Sequence, residues 1–249
     1  NLLIHLTENP QFDVFKFSRK NSEQELKNSV LQSDFIIHLA GVNRTDKEEG
    51  FNLVNTELTK TLCSFIELSK RNIPLIYSSS AQAVEDNLYG KSKLNAELHL
   101  EKFSEKNKNP VIIYRFPGIF GKWCKPNYNS VVATFCNNIA KGLPINIDNP
   151  DALLNLVHID DVVKEILQKI DKPGKKFSHA KVKPEYKVSV GDIADKIYQF
   201  KGLRNELQIS EVGSGLERAL YSTFVSYLEP IDFSYKVPAY KDERGAFVE

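Results

Sequence analysis

A tyrosine and a lysine four residues apart, Tyr89 and Lys93, lie in the run Tyr89-Gly90-Lys91-Ser92-Lys93. On a helix that spacing puts both side chains on one face, one turn apart. A cation held beside a phenol stabilises phenolate. Such a phenol can exchange a proton with a sugar or alcohol oxygen near neutral pH. Three serines stand upstream, Ser78, Ser79 and Ser80, and a serine hydroxyl there can hydrogen-bond the same oxygen. The spacing is also that of a surface aromatic lying over a lysine stem, so the chemistry depends on the elements that place it.

Leu75-Ile76-Tyr77 is an apolar run too short for a helix and predicts a buried strand. The serines then fall at its carboxyl end, where open α/β sheets bind their ligands. Glu85-Asp86-Asn87 predicts a turn, and a helix follows from Tyr89 through Leu94, Glu97 and Leu100 to Phe103. Earlier in the chain, residues 1–6 read as the tail of an amphipathic helix. The alternation over 12–17 predicts a strand. That strand would end at Ser18-Arg19-Lys20. In dinucleotide folds an acid at this point selects NAD, and an arginine accommodates the extra phosphate of NADP. Arg19 stands there without an acid, so NADPH is expected, although a solvated strand-end cation has the same appearance.

Residues 35–41, Phe-Ile-Ile-His-Leu-Ala-Gly, form the near-continuous apolar run of a parallel strand covered on both faces. Ala40 and Gly41 at its end allow close backbone approach to a cofactor, and His38 reads as a packed core histidine. The following loop carries Arg44, which either touches substrate or is simply exposed. A long helix is expected over 51–68, a buried strand over 111–114, and then a backbone path fixed by Pro117, Gly118 and Gly121. The irregular stretch from Lys122 to Ser130 carries Lys125, Asn127 and Asn129 with Trp123 and Tyr128. It offers donors for a diphosphate and aromatic faces for a base, and equally fits a plain surface loop. A helix over 131–140 and a strand over 153–157 come next. Asp160 and Asp161 then read as helix capping at a hinge. Residues 172–187 read as a solvated charged loop, 190–200 as an amphipathic helix, and Tyr221 to Tyr235 as a tyrosine-rich segment packing across a lobe.

Taken in order, DFIIHLAG, SSSAQAVEDNLYGKSKL, YRFPGIFG and LVHIDD resemble the extended short-chain dehydrogenase/reductase family, the NAD-dependent epimerases and dehydratases. The resemblance covers nearly the whole chain and implies a Rossmann-like, doubly wound parallel α/β sheet with a small C-terminal substrate lobe. Residues 1–150 would form the NADP-binding domain and 151–240 mainly the substrate lobe, interleaved with the first. Tyr89 would protonate, Lys93 would support it and bind the nicotinamide ribose, and Ser80, the third serine, would orient the substrate oxygen. Cofactor contacts would come from Arg19, Leu39, Ala40, Gly41, Ser78, Tyr89, Lys93, Phe116 and Pro117. Substrate contacts would come from Arg44, Gln82, Lys122, Lys125, Asn127, Asn129, Ser130 and His158. Asn55, four residues before Thr59, would anchor the site from behind. Gly118 stands where family members often carry asparagine, so no side-chain contact is expected there.

The family's phosphate-binding turn, GxxGxxG, does not occur in the sequence; with the first strand, it is expected upstream of Asn1. The absence of methionine likewise suggests that the 249 residues are not an intact translation product. The serine–tyrosine stretch and the 122–130 loop resemble one branch of the family, bifunctional enzymes of capsular polysaccharide synthesis. In that branch a metal-binding cupin follows the reductase. Asp242-Glu243-Arg244-Gly245-Ala246-Phe247 resembles a cupin opening, so 241–249 would start such a domain, with zinc there and nowhere earlier. The implied reaction is NADPH reduction of the C4 ketone of a UDP-linked 4-keto-6-deoxy-N-acetylhexosamine. A 4-epimerase that retains its nicotinamide is the alternative, followed by a non-catalytic NADP-binding regulator, which usually lacks the tyrosine or lysine. A 4,6-dehydratase needs an acid pair where Ala81-Gln82 stand.

Composition fits these expectations. Lys plus Arg is 33 and Asp plus Glu is 32, so no global field recruits nucleic acid or a membrane surface. No apolar run reaches the length of a span, and no signal peptide is expected. Three cysteines without CxxC spacing suit a reduced, cytoplasmic protein, and five histidines show no metal-ligand spacing. The resemblance further implies a homodimer.

Overall fold

Three short apolar-rich runs and one short polar run pair in parallel because the helices between them return the chain to the same edge. The computed structural model describes residues 1–45, 49–234 and 237–248. The chain runs α1 (Leu2–Glu8), α2 (Glu23–Gln32), β1 (Ile36–His38), α3 (Glu49–Phe51), a π-helical turn (Asn52–Glu57) and α4 (Leu58–Ser69). It continues with β2 (Leu75–Ser80), a 3₁₀ turn (Ala81–Val84), α5 (Leu88–Asn107), β3 (Val111–Phe116), β4 (Gly118–Phe120) and α6 (Val131–Ala140). Then come β5 (Leu153–His158), α7 (Ile159–Asp171), β6 (Ser178–Ala180), β7 (Tyr186–Ser189), α8 (Val190–Asn205) and α9 (Gly215–Val225). A second 3₁₀ turn (Pro230–Phe233) and the strands β8 (Ala239–Asp242) and β9 (Gly245–Val248) follow.

The chain divides into two units, one of residues 1–117 with 161–183, the other of 118–160 with 184–249. The first unit holds the parallel sheet, in the order β1-β2-β3-β6. Its architecture is a Rossmann-like α/β sheet. Strand alternation decides what each face meets. Leu75, Tyr77, Val111 and Ile113 point into one apolar cluster with Leu26, Val30, Leu62, Ile66, Ala96 and Leu100 from α2, α4 and α5. Each buried Val, Leu or Ile among them contributes roughly 1.5–3 kcal/mol on leaving water. Tyr114, of the opposite parity, hydrogen-bonds Glu165 of α7. The second unit holds a separate sheet, β4-β5-β7, with β4 parallel and β7 antiparallel to β5. Its core joins Phe120, Leu156 and Val188 to Phe135, Ile139, Ile197, Leu220 and Phe224 of α6, α8 and α9. β8 and β9 form an exposed antiparallel hairpin.

Several expectations need correction. Residues 12–17 form no strand, although Phe17 leans on the first unit's core. Alternation supplies the faces of a strand but not a partner, and the described ladders give this segment none. The apolar run 35–41 yields only the three residues of β1, with Leu39 half exposed. The helix expected over 51–68 has its first turns wound as a π-helix. The charged segment 172–187 is not all loop: Ser178–Ala180 pair with Ile112–Tyr114, and Val182 is buried. β6 is an edge strand with mostly exposed side chains, so its polar composition conceals it. Tyr221 and Phe224 pack within the second unit, whereas Tyr235 lies outside the described residues. Among the described residues no helix is long and apolar enough to cross a membrane, and no cluster of His, Cys, Asp or Glu could hold a metal. The three cysteines are free thiols.

Candidate active site

The site in the first unit begins with how α5 starts. Asn87 caps it, accepting from the Gly90 N–H at 2.8 Å. Gly90 has no side chain where a Cβ would come within 2.2 Å of the Gln82 carbonyl oxygen, so the helix can lie directly on the 3₁₀ turn. Ser80 in turn caps that 3₁₀ turn, its hydroxyl accepting from the Gln82 N–H at 3.2 Å. Starting from this fixed point, Tyr89, Lys93 and Glu97 follow at spacings of four down one stripe of α5.

Lys93 is buried. Its ammonium donates to the Ser78 carbonyl at 2.9 Å and sits 4.9 Å from the centre of the Tyr77 ring. Burial pushes its pKa down to about 8, with the charge of Glu97 opposing the shift. Gly41 closes the other side, since a Cβ there would meet Lys93 Nζ and Asn55 Oδ1 each at 2.9 Å. Asn55, from the π-helical turn, ties the loop after β1 to α5. It accepts from the Val42 N–H at 2.9 Å and donates to the Val42 carbonyl at 3.0 Å and to Ser92 Oγ at 2.9 Å. π-Helical turns often accompany functional sites, and here the turn carries the residue that braces the lysine's cradle. Tyr89 is half-buried, its ring 6.0 Å from that of Phe51. His38 is the packed core histidine expected, bonded through Nε2 to Thr59 Oγ1 at 2.9 Å. Burial first, and Lys93 second, push its pKa down to about 3.

Beneath this lies a network that sequence reasoning missed. Ser79 Oγ donates to Glu97, and Arg115 Nε reaches both carboxylate oxygens at 3.0 Å, with Nη2 at 2.6 Å from Oε2. Ser79 and Arg115 are register partners on β2 and β3, on the parity that faces α5. The signal was available: Glu97 continues the Tyr89–Lys93 spacing. Ser79 is thus committed to Glu97, which leaves Ser78 and Ser80 on the other parity.

The remaining cofactor candidates of this unit gather at the carboxyl ends of parallel strands. Leu39, Ala40 and Gly41 follow β1, Ser78 and Ser80 end β2, and Phe116 and Pro117 end β3. Open α/β sheets bind nucleotides at this edge, and the side-chain-free backbone at Gly41 fits a dinucleotide passing close to Lys93. Arg19 sits exposed in a turn closed by the Asn21 N–H on the Ser18 carbonyl at 3.0 Å. Arg44 and Gln82 are exposed.

Residues 6–182 match the NAD dependent epimerase/dehydratase family. The chain belongs to that family. Over all 249 residues it is 47% identical to a UDP-2-acetamido-2,6-beta-L-arabino-hexul-4-ose reductase of Pseudomonas aeruginosa, 67% of which it covers. It also superimposes on the crystal structure of the capsular polysaccharide assembling protein CapF from Staphylococcus aureus. The TM-score is 0.88 at 39% identity, covering 99% of this chain and 67% of that one. The chain thus spans about two thirds of the length of both relatives. A UDP-glucuronic acid 4-epimerase from Bacillus cereus shares the fold, with a TM-score of 0.71 at 15% identity over 90% of this chain and 83% of that one. As a member of the epimerase/dehydratase family and a relative of a named reductase, the protein is an oxidoreductase.

The family's substrate candidates in the second unit form a group of their own. Lys122 pairs with Asp160 at 3.3 Å and lies 5.4 Å from the centre of the Trp123 ring, and Lys125 sits 5.4 Å from that of Tyr128. Trp123 and Asn127 have left-handed backbone, φ 65° and 54°, which turns the loop sharply twice within five residues. The Asn127 N–H donates to Thr134 Oγ1 at 2.9 Å, and Asn129 is exposed. Ser130 has a structural duty: its hydroxyl caps α6 by accepting from the Ala133 N–H. His158 is buried against the Phe120 ring at 5.3 Å, with Nδ1 4.0 Å from Asp160. α7 starts at Ile159, so Asp160 and Asp161 lie inside its first turn rather than ahead of it. There Asp160 serves Lys122 and His158 instead of capping.

Proposed function

We propose that the protein reduces the C4 ketone of a UDP-linked 4-keto-6-deoxy-N-acetylhexosamine with NADPH, supplying precursors for capsular or surface polysaccharide. The observation that carries this reading is the buried Lys93 ammonium, one helical turn from Tyr89 at the carboxyl edge of a parallel sheet. It occurs in a chain 47% identical throughout to a UDP-sugar reductase. NADPH, when bound, is the hydride donor. It would be held by Leu39, Ala40, Gly41, Ser78, Phe116 and Pro117, with Arg19 toward its 2′-phosphate. Tyr89 donates the proton that the carbonyl oxygen takes up as it becomes an alcohol. Ser80 keeps a hydroxyl proton for that same oxygen, because its own bond to Gln82 uses it as acceptor. Lys93 spends one of its three N–H donors on Ser78, leaving two for ligand oxygens. In this reading Lys122, Lys125, Asn127, Asn129 and His158, with Arg44 and Gln82, bind the nucleotide sugar, and the protein works as a cytoplasmic homodimer.

The test is incubation with candidate UDP-4-keto sugars and NADPH, followed by cofactor absorbance and product mass. The expected result is stoichiometric NADPH oxidation with a two-hydrogen gain in the sugar. Interconversion of C4 epimers without consumption of free cofactor would replace the reductase by an epimerase. Light scattering reads the oligomer.

A further inference from the structure

We propose that Glu97, clamped by Arg115 and Ser79, is a positioning residue for Lys93, its carboxylate acting on the ammonium through space rather than by contact. The proposal rests on the reading of Tyr89 and Lys93 as the working pair. Glu97 is only 3% exposed and lies one turn beyond Lys93 on the same stripe. A carboxylate one helical turn from an ammonium can pair with it directly. Here its oxygens are taken: Ser79 donates to Oε1, and Arg115 reaches both oxygens, with Nη2 on Oε2. The Lys93 ammonium therefore stays on the Ser78 carbonyl, aimed at the strand end, and keeps donors for a ligand.

Among the described residues, the groups facing Lys93 leave Glu97 as the source of compensating charge. From β1 comes His38, held neutral by burial and by Lys93 itself. From β2 come Tyr77 and the Ser78 carbonyl, and from α5 Tyr89 and Glu97. From the loop and the π-helical turn come Gly41 and Asn55, both uncharged. Arg115, at the end of β3, reaches Lys93 only through Glu97, whose negative charge it partly cancels. Burial disfavours the charged lysine and Glu97 opposes that, so the pair's balance sets where the ammonium discharges.

The experiment is an NMR titration of the Lys93 Cε signal in carbon-13 lysine-labelled full-length chain, assigned with Lys93→Arg. It needs neither substrate nor cofactor. Glu97→Gln keeps the shape and the acceptor but removes the charge. The midpoint is expected to fall by about one pH unit, the order set by an i,i+4 charge pair in protein interior with half its field cancelled. Glu97→Asp, which keeps the charge, should restore most of it. In the reductase assay the alkaline limb of kcat/KM should move with the midpoint. A folded Glu97→Gln whose Lys93 midpoint does not move overturns the proposal and leaves Glu97 a structural ion pair. If Glu97→Gln fails to fold, Arg115→Lys carries the test. A shorter cation that cannot hold both oxygens leaves more of the field on Lys93, so the midpoint rises; an unmoved or lowered midpoint overturns the idea. Failure of the reductase reading appears separately, as a wild type inactive on every keto sugar, with the titration shift intact.

Discussion

Gly41→Ala asks directly whether the cradle of Lys93 matters. The added Cβ would stand 2.9 Å from Lys93 Nζ and from Asn55 Oδ1. Comfortable contact begins near 3.5 Å, so a neighbour must give way by roughly half an ångström. Asn55 is pinned by three hydrogen bonds to Val42 and Ser92. Lys93 is pinned by one, to Ser78, at the end of a flexible stem. The ammonium therefore moves first. Crowding and the weakened charged bond together cost about 1–3 kcal/mol. In a chain of this length that lowers Tm by about 2–4 °C per kcal/mol.

The catalytic effect should be larger than the stability effect. Misplacing a catalytic group by 1 Å costs on the order of 10²-fold, so half that displacement predicts about a tenfold fall in kcat/KM. The assay is steady-state reduction followed by NADPH absorbance, with Tm measured on the same samples. A double-mutant cycle with Lys93→Met supplies the control, because residues acting through one another do not add. Gly41→Ala should cost little in the Lys93→Met background. Wild-type activity in Gly41→Ala, or full additivity in the cycle, would refute the argument that Gly41 acts by leaving room for the ammonium.

Tyr89→Phe should leave folding and cofactor affinity intact while lowering turnover by roughly 10²–10⁴-fold, the range for a lost general acid; turnover close to wild type removes Tyr89 from the mechanism. Arg19→Ala should raise the KM for NADPH and leave that for NADH alone, and equal use of both cofactors by wild type would end the argument from Arg19. Lys93 gives a pH signature with two opposite signs. Its folded pKa, about 8, lies below the ordinary 10.5, so between these values the unfolded chain holds more protons. The group's destabilising effect is therefore full below about 8 and fades as pH rises toward 10.5, while kcat/KM falls from about 8 upward. Urea midpoints and kcat/KM across that window, compared with Lys93→Met, read both trends; parallel trends would contradict them.

What was legible in the sequence was what one local rule decides. The strand over 75–77, the helix carrying Tyr89 and Lys93, and the packed core His38 each follow from a period, a spacing or an apolar neighbourhood, and each stands where expected. Where the outcome depended on a distant partner, the reading went astray. Residues 12–17 alternate as a strand should, yet no ladder among the described residues claims them. Residues 178–180 lie within the stretch 172–187 that reads as a charged loop, yet β3 claims them.

The Glu97 network shows why the site was only partly readable. Tyr89 and Lys93 announce each other because both lie on one helix. Arg115 lies eighteen residues beyond Glu97, at the end of another strand, and nothing local distinguishes it from an exposed cation such as Arg19. Two tertiary facts separate them. The β2–β3 register puts Arg115 beside Ser79, and the parity of both strands turns those side chains under α5. A third condition follows from burial. Once Glu97 is shut from water, an unpaired carboxylate would be costly, so the arginine that reaches it is required by the same packing that hides it. The network beneath Lys93 is thereby set by three conditions at once, one of which, the register, is written in no single stretch of sequence.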